Sequence, residues 1–225
     1  MRRISTLVAA LAIGFAASSA QALILPVDDF SAPSMTLFDP TGNAGGGVSS
    51  GLIAGGGFSR TITHELLQPG NPNSTCVDSC VRMGGATFPP GRLVMSNTDN
   101  NDSEVTVSWA LLAGFVPLGS PVSFFFDVIN SDGNPINTDI YINNVLVAGF
   151  VIPSNSLNIT RTFGLTLGQQ ATLNAGGVLQ LRVNGVEGWD MTLDTVGFNI
   201  PEPTTLALVG LALLGAGVVS RRRKV

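Results

Sequence analysis

The chain has 225 residues and a net charge of −4, with 27 glycines, 13 prolines, two cysteines and one histidine. The central stretch, Leu23 to Ile200, carries five arginines, no lysine and fourteen carboxylates, a net −9. So acidic a body repels nucleic acid and anionic lipid, and suits cations, neutral sugars or a hydrated matrix.

The N-terminus reads as a secretory signal peptide. Arg2 and Arg3 form its positive region, Ile4 to Ala17 its apolar region, and Ser18 to Ala22 its small residues. Ala20 and Ala22 occupy the A-x-A positions, so cleavage is expected after Ala22, and residues 1–22 form the leader. The alternative is a permanent N-terminal membrane helix.

From there the period is two rather than 3.6. Phe58 to Leu66 predicts a strand. Val105, Val107, Trp109 and Leu111 alternate with polar or small residues. Val122 to Ile129 is strand-like. Ile140 to Ile142 and Val145 to Val147 flank Asn143-Asn144, a hairpin turn pair. Ile159 to Leu167, Val178 to Val183 and Met191 to Ile200 complete the series. No stretch shows helical periodicity with caps. Seven or eight short strands predict one antiparallel β-sandwich over residues 23–200.

Gln68 to Asn101 is rich in Pro, Gly, Asn and Asp and reads as a long loop. It holds Cys76 and Cys80, the only cysteines. In an exported protein these are expected to form a disulfide, a local clip contributing roughly 2 kcal/mol. With one histidine, His64, a zinc site lacks ligands.

The C-terminal segment, residues 201–225, has three parts. Pro201-Glu202-Pro203 is a rigid strip, because two prolines fix φ and deny a helix start. Thr204 to Val219 is uncharged and apolar. Arg221, Arg222, Arg223 and Lys224 form a basic stop. Sixteen residues at ~1.5 Å give a helix of ~24 Å against a ~30 Å hydrocarbon core. Local thinning or snorkelling arginines close the gap. The alternative is a buried core helix. A transmembrane helix over 204–219 is expected, with the basic cluster on the cytoplasmic side and the body outside.

This order of parts resembles the PEP-CTERM sorting signal of Gram-negative bacteria. The resemblance implies an inner-membrane-anchored precursor handled by signal peptidase and an exosortase, then removal of the tail and delivery to the cell surface or extracellular matrix. Val27-Asp28-Asp29-Phe30 at the start and Asp194-Thr195-Val196 near the end of the body resemble galactose-binding-like and carbohydrate-binding-module jelly rolls. That resemblance implies a structural calcium held by Asp28 or Asp29 and Asp194.

Three chemistries compete for the body. Calcium suits carboxylate and carbonyl oxygens, with Asp99 to Glu104 and Asn130 to Asn134 as loop candidates. Their ordinary role is to make Asx-turns. Sugar binding needs an exposed aromatic: Trp109 reads as core, Tyr141 is available, and Trp189, beside a turn in Gly188-Trp189-Asp190, is the ligand-binding candidate. Catalysis has one lone histidine, His64, which in a strand reads as structural, so no catalytic residue is assigned and the chain is expected not to be an enzyme. The reading is a structural or adhesive component of an exopolysaccharide or biofilm layer. The alternative is a carbohydrate-binding lectin, and the third a glycoside hydrolase.

Overall fold

Side chains alternate in and out along Ser59–Leu66, Ser103–Ala110, Ile136–Ile142 and Val178–Gly185, as a strand with one buried face requires. The computed structural model describes residues 22–31, 34–37, 48–52, 58–67, 79–84, 91–98 and 101–201. Within them lie β1 (Leu23–Asp28), β2 (Met35–Leu37), β3 (Val48–Leu52), β4 (Ser59–Leu66), β5 (Ser79–Met83), β6 (Leu93–Asn97) and β7 (Ser103–Ala110). There follow β8 (Ser123–Gly133), β9 (Ile136–Ile142), β10 (Val145–Ile152), β11 (Leu157–Gly164), helix α1 (Leu167–Asn174), β12 (Val178–Gly185) and β13 (Trp189–Ile200). The stretch Leu25–Phe198 is one compact unit.

Two antiparallel sheets form a sandwich. One runs β11-β8-β13-β6-β5-β2, with β1 beside β13; the other runs β10-β9-β12-β7-β4-β3. The expected fold class is therefore the observed one. The core lies between the inner faces. From β4 it takes Ile62 and Leu66, from β7 Val105, Val107 and Trp109, and from β8 Phe124, Phe126 and Val128. Phe115 joins it from a loop, its ring centroid 4.3 Å from that of Phe58 and 6.2 Å from that of Phe198. The β9–β10 hairpin turns on Asn143 and Asn144, whose φ values of 49° and 63° are those of a two-residue type I′ turn.

Three expectations needed correction. In place of seven or eight strands, the described residues hold thirteen. The supposed loop from Gln68 to Asn101 contains β5 and β6, which sit side by side within the first sheet. The segment after β11 is a helix with a complete capping box. Thr166 Oγ1 accepts from the Gln169 amide, and Gln169 Oε1 accepts from the Thr166 amide. Eight residues bury only Gln170 and Leu173, too few for a visible 3.6 period.

Candidate functional site

The acidic opening of the body is spent inside the sandwich. Asp28, on β1, is 1% exposed and faces Arg60 of β4, also 1% exposed. Arg60 Nη1 donates to both carboxylate oxygens at 2.8 Å. The Phe30 amide donates to Oδ1 at 2.9 Å, and Trp109 Nε1 of β7 donates to Oδ2 at 2.8 Å. Phe30 takes a φ of 51° to close this turn. Asp28 thus ties the two sheets together, and both its oxygens are engaged.

That geometry does not fit the calcium site implied by the resemblance. Asp29 is exposed, and its Oδ1 accepts from the Ser31 amide and hydroxyl. The Ser31 hydroxyl holds the Asp29 carboxyl below the usual carboxylate range. Asp194 is half-buried on β13. Among the described residues no three His, Cys, Asp or Glu side chains gather to hold a metal. In the loop candidates, Asp132 accepts from the Gly133 amide, an Asx-type local bond; Asp99 and Asn100 lie outside the described residues.

Trp189 is 0% exposed, so it offers no stacking platform for a sugar. The turn before β13 folds its indole onto Gly185, where a Cβ would fall 2.7 Å from the ring. The indole N–H lies near the Asp102 carboxyl without meeting hydrogen-bond geometry. Burial pushes the Asp102 carboxyl up, helped by Glu187 and Glu104.

His64 and Ser79 meet between the sheets, Nε2 to Oγ at 2.7 Å, both 1% exposed. The pair looks like a nucleophile and its base, but the proton runs the other way. Asn97 Nδ2 donates to the Trp189 carbonyl at 3.1 Å, which orients the amide. Asn97 Oδ1 then accepts the Ser79 hydroxyl at 2.6 Å. Ser79 Oγ is left to accept from His64, so the histidine does not withdraw the serine proton. This network pins β4 to β5, β6 and β13.

Cys80 is 4% exposed on β5, and among the described residues no cysteine is free. Cys76, Ala20, Glu202, Pro203, the run 204–219, Arg221, Arg222, Arg223 and Lys224 lie outside the described residues. Among the described residues no helix is long and apolar enough to cross a membrane. Ala22 and Pro201 are exposed at the two ends of the described chain, and β1 starts at Leu23, directly after Ala22.

What the strand register builds on the outside is a polar grid. Across β9, β12, β7 and β4 the outward residues align as Asn137, Asn184, Glu104 and Glu65 in one row. The next row is Asp139, Arg182, Thr106 and Thr63, and the third is Tyr141, Gln180, Ser108 and Thr61. Every position carries a hydrogen-bonding group. Arg182 sits at the centre, 4.7 Å above the Tyr141 ring, with Nε 3.2 Å from Glu104 Oε1. Asn184 Nδ2 donates to Glu104 Oε2 at 3.3 Å, and Gln180 Nε2 to Ser108 Oγ at 3.1 Å. The sequence marked Tyr141 as available to a sugar, and Glu104 only as the end of a calcium loop candidate. Alternation placed the others on a polar face, but only the pairing register brings them together.

Among curated proteins none matches the chain. Among solved structures it is similar to the enzymatically active domain of tailspike protein 4 from bacteriophage CBA120. There the identity is 12%, the TM-score 0.39, and the match covers 63% of this chain but only 19% of the tailspike. It is also similar to a carbohydrate-binding module, CBM4, at 15% identity and TM-score 0.38, covering 61% of this chain and 86% of that one. A third is the xylan-binding domain CBM22-1 from Paenibacillus barcinonensis, at 10% identity and TM-score 0.34, covering 83% and 99%. The family model for the PEP-CTERM protein-sorting motif matches residues 199–224, directly after the last buried residue of β13. From Asn199 to Lys224, then, this chain carries the PEP-CTERM protein-sorting motif.

Proposed function

We propose that this is an exported protein, sorted by an exosortase through residues 199–224, whose sandwich serves as a structural or adhesive component of an extracellular polysaccharide layer. The sorting motif carries this reading. Signal peptidase acts after Ala22, and the precursor waits in the inner membrane on the apolar run 204–219. The exosortase reads Pro201-Glu202-Pro203 and removes the tail. A non-catalytic role agrees with the polar groups of the core, which are committed to joining the sheets. In an oxidising compartment Cys76 and Cys80 form a short disulfide clip.

Mass spectrometry of the secreted form, from cells with and without the exosortase, tests the route. The expected product starts at Leu23, lacks the basic tail and has no free thiol. An intact chain retained in the cytosol in both strains overturns it.

A second reading, binding of polysaccharide, is favoured by the grid around Arg182. Its donors and acceptors span four strands, as needed to follow the hydroxyls of an extended glycan. Affinity electrophoresis in gels cast with the producing cell's own exopolysaccharide tests this. Retardation that Arg182→Ala abolishes supports the reading; equal mobility with and without the polysaccharide ends it.

A further inference from the structure

The two ends of the sandwich differ sharply in charge. At one end lie the β7–β8 connection, the β9–β10 turn and α1. Hydrogen bonds join them: Gly114 N to Asn174 O at 2.7 Å, Leu111 N to Gly177 O at 3.1 Å, and Asn143 N to Val178 O at 2.9 Å. The sequence has no charged residue from Leu111 to Phe126, from Ile140 to Gly149, or from Thr162 to Leu181. Leu112, Leu118, Leu146 and Leu167 stand exposed there, at 53, 57, 55 and 72%. At the other end, Gly188 N donates to Asn101 O and Asn134 Nδ2 donates to Glu187 O, gathering Asp102, Asp132, Glu187 and Asp190. Apolar residues are exposed there too: Leu67 and Val186 beside carboxylates, and Val151 and Leu157 about the uncharged 152–157 turn.

The chain leaves the compact body at the uncharged end. Phe198, its last residue, has its ring centroid 6.2 Å from that of Phe115 and 5.8 Å from that of Phe124. Five residues, Asn199 to Pro203, separate Phe198 from the apolar run. Fully extended they reach about 17 Å, at ~3.4 Å each. In the anchored precursor of the sorting reading, the end of the body at Phe198 is thus tethered within about one strand-length of the lipid headgroups.

We infer that the uncharged end docks on the outer face of the bilayer while the precursor is anchored, with Leu118 and Leu167 entering the interface. The inference rests on the sorting reading above. The acidic groups then point away from the membrane, beyond the ~8 Å over which salt leaves charge effective. The net −9 therefore opposes contact less than its total suggests. Isolated leucines on an interfacial surface bind weakly by themselves, so the tether is what makes the contact persist.

The full chain, reconstituted in vesicles of three parts phosphatidylethanolamine to one part phosphatidylglycerol, tests this. Native Trp109 and Trp189 are both 0% exposed and give a constant background. Leu118→Trp and Leu167→Trp place a reporter at the uncharged end, and Val186→Trp places one at the acidic end. All three positions are more than half exposed, so the core is untouched. With phospholipid brominated near the headgroup, at least twofold stronger quenching of the first two reporters than of the third is expected. Equal quenching of all three, in chains that float with the vesicles, overturns the docking alone. Chains that fail to float overturn the anchor reading and the docking with it.

Discussion

Asp28 accepts from three different partners in a space with no water-facing side: the Phe30 amide, the Trp109 indole and the Arg60 guanidinium. A buried ion pair of this kind adds little over an apolar pair, yet breaking it by removing one partner costs about 3–5 kcal/mol. Arg60→Met is expected to lower stability by that amount in urea unfolding, and Asp28→Asn with Arg60→Met to recover part of it, because the amide oxygen still accepts while the unpaired charge is gone. A single-mutant loss under about 1 kcal/mol contradicts the account. Asp102 behaves in the opposite sense. Its carboxyl is raised by burial, so the folded state prefers the protonated form. Ionisation then costs stability at neutral pH, and the cost is relieved as pH falls through the raised value. Asp102→Asn is expected to raise the melting midpoint at pH 7 and to match the wild type in acid; a pH-independent difference refutes this. In the sequence both aspartates looked alike, as oxygen ligands for calcium. Arg60 lies 32 positions from Asp28, and nothing short of the sheet arrangement pairs them. Trp189 misled for the same reason, since its burial depends on Gly185 across the turn.

Strands that are long and alternate were legible. β4, β7, β9, β12 and β13 follow the apolar rows, and the Asn143-Asn144 turn follows from two residues that tolerate positive φ. Strands β5 and β6 were hidden because each has only five residues, set among Gly, Pro and Asn. Their strand state comes from pairing with each other, with β2 and with β13, which local composition does not record. Helix α1 was hidden because Gly168 and two glutamines blur its apolar side. Register also juxtaposes like charges: Glu65 of β4 lies directly opposite Glu104 of β7. Such a pair costs up to about 1 kcal/mol, and Arg182 relieves one member only. Glu65→Lys is expected to stabilise the domain by about 0.2–1 kcal/mol at low salt, with the gain shrinking as salt rises. No gain at low salt would mean that the two carboxylates already splay apart into water.

At the scale of the molecule, fourteen carboxylates against five arginines make self-repulsion a standing cost to the folded body. One arginine, Arg60, is buried with its carboxylate, so that pair contributes little to what salt can change. The remaining charges are mainly at the surface, and a ~8 Å Debye length at physiological salt is shorter than the distance across a sheet. Adding sodium chloride to a salt-free sample is therefore expected to raise the melting midpoint by about 2–4 °C, if screening removes about 1 kcal/mol of repulsion. Calcium provides the control, because a divalent ion screens as well as binds. At matched ionic strength, calcium chloride is expected to raise the midpoint no further than sodium chloride does, since Asp28 is occupied by Arg60 and Asp29 by Ser31. An additional rise that a chelator reverses would mean that carboxylates such as Asp78 or Asp99, outside the described residues, complete a site with those on the acidic end. The acidic surface would then act as a cation-dependent contact with the matrix rather than a simple repulsive coat.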